Sequence, residues 1–327
     1  MKCLVTGGGG FLGSAIVRML RDRGDDVRSF SRTPAALDVP QFHGDLTDAA
    51  ALRQALRGCD VVFHVAAKAG IWGTRADFHR TNVVGTQTVL EACRVEGVRR
   101  LVYTSTPSVV HGGASLEGIT EAAPYPARYQ AHYPQTKAAA ERAVLAANGP
   151  DLATVALRPH LIWGPNDPHL IPRLVAKAKA GKLKRIGTHL VIVDATYVDN
   201  AAAAHLLAAD KLDPGSVVAG RAYFITNDEP LDLWDFVNSI LAVHRLAPVT
   251  DSIAPWKAKL AGRLCEALWR VLPGEPPLTR FVVSQLSTSH WYDITAAKRD
   301  LGYAPVVSVA EGLRRLAEAM TPEIQRR

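Results

Sequence analysis

Cysteine is scarce and scattered. Its four positions, Cys3, Cys59, Cys93 and Cys265, form no CxxC pair and stand beside no histidine cluster, so neither a disulfide framework nor a metal site of ordinary spacing is expected. Buried thiols in a reducing cytoplasm are the expected use. Long apolar runs are also missing. No stretch approaches the roughly 18 residues a membrane-spanning helix needs, and the first strand begins so soon after Met1 that no leader can be read. Repeats and low-complexity tracts are absent. Although the net charge is +7, the basic residues are dispersed without a nucleic-acid motif, which leaves an anionic small molecule as the expected partner and no nucleic acid. The 327 residues, 48% hydrophobic and 21% charged, suffice for one large α/β unit or two joined domains.

What is present begins at once. The apolar strand Cys3-Leu4-Val5 runs into Thr6-Gly7-Gly8-Gly9-Gly10-Phe11-Leu12-Gly13, and an amphipathic stretch follows to Arg23, with Gly24 where a helix ends. Gly7 permits a tight turn, Gly10 lets backbone N–H groups approach a pyrophosphate, and Gly13 allows close helix packing. The alternative use is a plain strand-turn-helix corner. Apolar runs at Val27–Phe30, Val61–Val65, Leu101–Thr104 and Thr154–Leu157 alternate with helix-period segments such as Asp48–Arg57 and Val84–Val95. Such alternation predicts an α/β fold of Rossmann type, a doubly wound parallel sheet. After Arg158-Pro159 prolines cluster and a smaller, mostly helical substrate region begins. The expected division is a dinucleotide domain at 1–160 and a second region at 161–327, with segments near 189–205 and 222–238 returning to the first. His189–Val193 and Ala222–Thr226 read as strands of the main sheet.

At the end of the second strand, where an NAD-selective site places an acidic residue, the chain has Ser31 and Arg32. A guanidinium forks onto a phosphate monoester that a carboxylate would repel, so NADP(H) is the expected cofactor. Asp45, before Leu46, either accepts from the adenine amino group or serves as a turn or cap residue. Tyr133 and Lys137 stand four apart at the start of an alanine-rich helix and share a face. The ammonium is expected to lower the phenol pKa, which suits Tyr133 as a general acid toward a carbonyl oxygen. Ser105 and Thr106 end the fourth strand, where a hydroxyl can polarise that carbonyl or simply satisfy local backbone groups.

In order, the loop Thr6–Gly13, Asn82 in Thr81-Asn82-Val83-Val84-Gly85-Thr86, the Ser105/Thr106 pair, Tyr133xxxLys137 and Leu157-Arg158-Pro159 resemble the extended short-chain dehydrogenase/reductases. Tyr197-Val198-Asp199-Asn200, Ala203-Ala204-His205 and Tyr223–Asp228 resemble their 3β-hydroxysteroid dehydrogenase-like branch, over nearly the whole chain. The resemblance implies that Tyr133 donates the proton, Lys137 holds the ribose and Thr106 is the catalytic hydroxyl, with threonine where serine is usual. It also implies that Pro159 to Ile162 line the nicotinamide pocket, that Ala66, Ala67 and Lys68 follow the third strand beside the ribose and phosphates, that Asn82 belongs to the cofactor site, and that the protein is a homodimer.

Two later segments bear on the substrate. Leu170–Thr188 holds six cations and no acid; such a run is either a solvated helix face or an anion site, in which Arg173, at the start of its helix, is the leading partner of a carboxylate. From Trp256 to Leu272, Trp256, Leu260, Leu264, Leu268 and Leu272 recur every four residues between Lys257, Lys259, Arg263 and Arg270. This helix covers an acyl-chain pocket, or touches a membrane surface or a pathway enzyme. The resemblance with these segments implies NADPH-dependent reduction of the 3-keto group of a hydrophobic 2-alkyl-3-oxoalkanoic acid, as in long-chain olefin formation. Dehydrogenation of a 3β-hydroxysteroid or sterol-4-carboxylate is the enzymatic alternative, and a non-catalytic NADP-sensing or scaffold protein the other.

Overall fold

Apolar side chains alternate along the first strand and sort to two sides. In the computed structural model, which describes residues 1–324, the strand Lys2–Thr6 sends Cys3 and Val5 into one hydrophobic core and Leu4 into another. Val61 and Phe63 against Val62 repeat the division on the neighbouring strand of the sheet. Residues 325–327, the end of the expected second region, lie outside the described residues.

Seven parallel strands lie in the spatial order Arg221–Ile225, Ala153–Pro159, Arg100–Thr104, Val61–His64, Lys2–Thr6, Asp26–Ser31, Gln41–His43. Helices Phe11–Asp22 and Val198–Lys211 pack together on one face, while Ala49–Leu56 and Gly85–Glu96 cover the other. The fold is therefore the doubly wound α/β sheet of Rossmann type. The chain leaves the first strand for Asp26–Ser31 and Gln41–His43 on one side, then crosses to Val61–His64 on the other. That reversal opens a crevice at the strands' carboxyl ends.

Arg221–Ile225 pairs with Ala153–Pro159 at the sheet edge. The segment 189–193 does not reach the main sheet, whose edge Arg221–Ile225 already occupies. Ile192–Val193 instead pairs antiparallel with Leu231–Asp232 and parallel at His290, in a small sheet completed by Leu116–Ile119. Helices Leu170–Lys179, Leu233–Val243, Pro255–Leu268, Arg280–Gln285, Thr295–Leu301 and Val309–Ile324 are the main regular elements of the rest of the chain beyond residue 161. All four cysteines are free; Cys3, Cys59 and Cys93 are buried and Cys265 is half-buried. Among the described residues no helix is long and apolar enough to cross a membrane.

Candidate active site

The glycine loop has no room for side chains. Gly7 has φ +70°, and a Cβ there would stand 2.9 Å from Ala66 Cα; one at Gly13 would stand 2.0 Å from the Gly7 carbonyl oxygen. Gly10 N–H donates to that same carbonyl (2.9 Å), which turns the chain directly into the helix starting at Phe11. Beside the loop lies a cleft of about 490 Å³. Gly7, Gly10, Phe11, Leu12 and Gly13 line one end, Ser31, Arg32, Asp45 and Leu46 the side, and Ala66, Ala67, Ser105, Tyr133, Lys137 and Ile162 the other end. A backbone cradle that any Cβ would fill, continuous with an exposed cation, fits a dinucleotide phosphate chain.

Arg32 makes no hydrogen bond or ion pair among the described residues, whereas the Ser31 hydroxyl donates to Thr33 O (2.8 Å) and closes the turn. Asp45 performs a turn: its Oδ1 accepts from Thr47 N (3.0 Å) and Thr47 Oγ1 (2.6 Å), which hold its carboxyl below the usual range. It faces the cleft nonetheless. Asp48, through Ala51 N–H, caps the following helix.

The Lys137 ammonium is buried. It donates to Thr104 O at 2.5 Å and lies 4.2 Å from the centre of the Tyr103 ring, and burial lowers its pKa to about 7. Tyr133 departs from expectation. Burial raises its phenol pKa to about 12, opposed by the neighbouring Thr106 hydroxyl, and Lys137 is not among the causes. Desolvation, not the ammonium expected to act on it, sets the direction of the shift, so the phenol is protonated at neutral pH and can donate. The Ser105 Oγ is buried without a partner, while Thr106 Oγ1 accepts from Ser108 N–H (3.3 Å) and caps the turn Pro107–Val110.

Asn82 sits behind the cleft rather than on it. It lies on a π-helical turn, Arg80–Val84, where its Oδ1 accepts from Lys68 N–H (2.8 Å) and its Nδ2 donates to Lys68 O (3.1 Å) and Thr136 Oγ1 (3.1 Å). The carboxamide is thus spent on protein and positions the loop and the helix that carries Tyr133 and Lys137. Sequence reasoning missed its support. Ala66 N–H donates to Thr6 Oγ1 (3.2 Å), which donates to His64 Nδ1 (2.8 Å). The Thr86 hydroxyl is committed to Asn82 O (2.7 Å), so His64 Nε2–H donates to Thr86 (2.9 Å). Burial holds the imidazole neutral, its pKa down at about 3. Also missed was Glu141, which accepts from both Arg158 Nε (3.0 Å) and Nη2 (2.7 Å) and fastens the helix of Tyr133 and Lys137 to the strand Ala153–Pro159.

Other expected residues turn elsewhere. Lys68 reaches toward Asp77 (4.0 Å) and the Phe78 ring, Pro159 is buried in its strand, and neither lines the cleft. Arg173 pairs with Glu275 (2.9 Å) at the surface, because the acid that neutralises it comes about a hundred residues later in the chain. The side chains of Leu260, Leu264 and Leu268 cover no pocket; they are exposed. A second cavity, of about 430 Å³, meets the cleft at Tyr133, which lines both. Its walls include Ile71, Trp72, Phe78 and Phe281, with Arg270 and the Glu266–Arg280 ion pair among the polar groups. Among the described residues no group of side chains suits a metal ion.

Residues 4–248 match the 3-beta hydroxysteroid dehydrogenase/isomerase family. The chain belongs to that family. It is an oxidoreductase acting on CH–OH and C=O groups, as the family's named reductases and dehydrogenases are. Over 324 residues it is 51% identical to the 2-alkyl-3-oxoalkanoate reductase of Stenotrophomonas maltophilia (strain K279a), covering 97% of this chain and 98% of the relative. It is 38% identical to the sterol-4-alpha-carboxylate 3-dehydrogenase, decarboxylating, of Mus musculus, covering 97% and 90%. The solved structure of MoeE5 in complex with UDP-glucose and NAD superposes with a TM-score of 0.77 at 26% identity, covering 99% of this chain and 100% of that one. Family membership agrees with the branch resembled by the sequence motifs.

Proposed function

We propose that the protein reduces the 3-keto group of a hydrophobic 2-alkyl-3-oxoalkanoic acid to the 3-hydroxy acid, with NADPH. One observation carries the reading: Tyr133 lines both the dinucleotide-shaped cleft and the second cavity, so a proton donor stands where the two meet. Reduced nicotinamide in the cleft supplies the hydride. Gly7 and Gly13 keep the phosphates close to backbone, and Arg32, unpaired in a position where an acid would select NAD, favours the 2′-phosphate. Tyr133 protonates the forming alkoxide, Lys137 donates to the ribose hydroxyls, and Thr106 donates to the substrate oxygen. The second cavity suits the acid: Ile71, Trp72 and Phe281 offer apolar surface, and Arg270, without an ion pair among the described residues, takes the role expected of Arg173.

The relative at 51% identity supports this substrate class, and long-chain olefin formation is the setting that the motif resemblance implies. The sterol relative supports the reverse reaction on a 3-hydroxy-4-carboxysteroid as second reading. Presenting 2-alkyl-3-oxoalkanoic acids and 3-hydroxysteroids to the purified enzyme, each with NADPH, NADH and their oxidised forms, separates the two. Turnover of the keto acid with NADPH is the expected result. Turnover of steroids alone overturns it.

A further inference from the structure

The helix Pro255–Leu268 is inverted relative to an ordinary surface helix. Its buried residues are the small Ala258 and Gly262, and a Cβ on Gly262 would stand 3.1 Å from Arg280 N. The large residues face outward: Trp256, Leu260, Leu264 and Leu268 are 64%, 50%, 57% and 54% exposed, and exposed Val271 and Leu272 extend the stripe. Four-residue spacing puts them on one side. Positive charge borders it without compensation. Lys257, Lys259 and Arg263 have no ion pair among the described residues, while the only acid from 255 to 274, Glu266, is held by Arg280 at 2.7 Å.

We propose that this stripe docks the protein on an anionic lipid bilayer, the helix lying in the interface with its leucines among the acyl chains and its cations at the phosphates. An exposed apolar stripe, a tryptophan at one end and flanking lysines and arginines are the features such a helix requires. A second copy of the chain is a poor occupant, because a symmetric contact sets the same cations against themselves. Glu266 on the helix and Arg270 just beyond its end line the cavity that ends at Tyr133, so docking brings that cavity beside a lipid source. The docking stands apart from the proposed reaction and survives its failure.

Sedimentation of the full chain with phosphatidylcholine vesicles, with and without phosphatidylglycerol, tests it. Wild type pellets with the anionic vesicles and releases at high salt. Leu260→Ser/Leu264→Ser lowers the partition coefficient about tenfold or more, and Lys257→Glu/Lys259→Glu/Arg263→Glu removes the preference for anionic lipid. Both variants keep the wild-type thermal midpoint and NADPH affinity, which shows that they fold. Wild type remaining in the supernatant overturns the proposal. So does vesicle binding that neither variant weakens, or self-association through the stripe with no vesicle binding.

Discussion

Asn82 donates from Nδ2 to Thr136 Oγ1 across 3.1 Å while the same carboxamide grips Lys68 through both its backbone groups. One buried side chain thereby fixes the loop after the strand Val61–His64 against the helix that carries Tyr133 and Lys137. Replacing it with Ala strands the Lys68 amide and carbonyl. We expect Asn82→Ala to cost about 1–3 kcal/mol of stability and to lower kcat, the cost arising from buried groups left unpaired. Asn82→Asp, which still accepts from Lys68 N–H, is expected to recover part of the stability. Chemical denaturation beside steady-state kinetics measures both.

Arg32 predicts cofactor choice. Arg32→Ala should weaken NADPH binding about tenfold, ~1.4 kcal/mol, and leave NADH within about twofold. Fluorescence titration of both cofactors measures the change, and an unaltered preference for NADPH would assign selectivity to another residue.

Thr106 stands against Tyr133 and Ser105 has the unpartnered hydroxyl, so the two make different predictions. Thr106→Val should lower kcat by about 10- to 100-fold, and Ser105→Ala by less than about fivefold. The reverse order in single-turnover kinetics would make Ser105 the donor to the carbonyl.

Lys137 sets a pH dependence. Its pKa is lowered to about 7 by burial, so the ammonium exists below that pH and is lost as pH rises through it. Because kcat/KM reports groups on the free enzyme, it should fall on the alkaline side from near pH 7, and Lys137→Met should lack that limb. A wild-type profile that stays flat through neutral pH would contradict the assignment.

How much of this was legible in the chain depends on distance along it. Gly7 to Gly13 and Tyr133 with Lys137 are local patterns, and alternating apolar strands with helix-period crossovers suffice for a doubly wound sheet. Pairings across long separations were not legible. Nothing near Arg173 announces Glu275, and nothing near His64 announces Thr6, 58 residues away, or Thr86, 22 away. The periodic leucines of 256–272 were plain, but which face turns inward depended on Gly262 meeting the Thr279–Arg280 backbone and Ala258 packing with Ile186 and Val283. Spacing likewise put Lys137 beside Tyr133, while the direction of the tyrosine's shift belonged to burial that spacing does not report.

The most direct test follows the reducing equivalent. NADPH deuterated at the transferring position of its nicotinamide C4 is incubated with a 2-alkyl-3-oxoalkanoic acid and either wild type or Tyr133→Phe, and the product is read by mass spectrometry and NMR. Wild type should place deuterium on C3 of the 3-hydroxy acid, and Tyr133→Phe should do so about 10²-fold more slowly or worse. Product without deuterium at C3, no product from keto acids, or an undiminished rate in Tyr133→Phe would contradict the account.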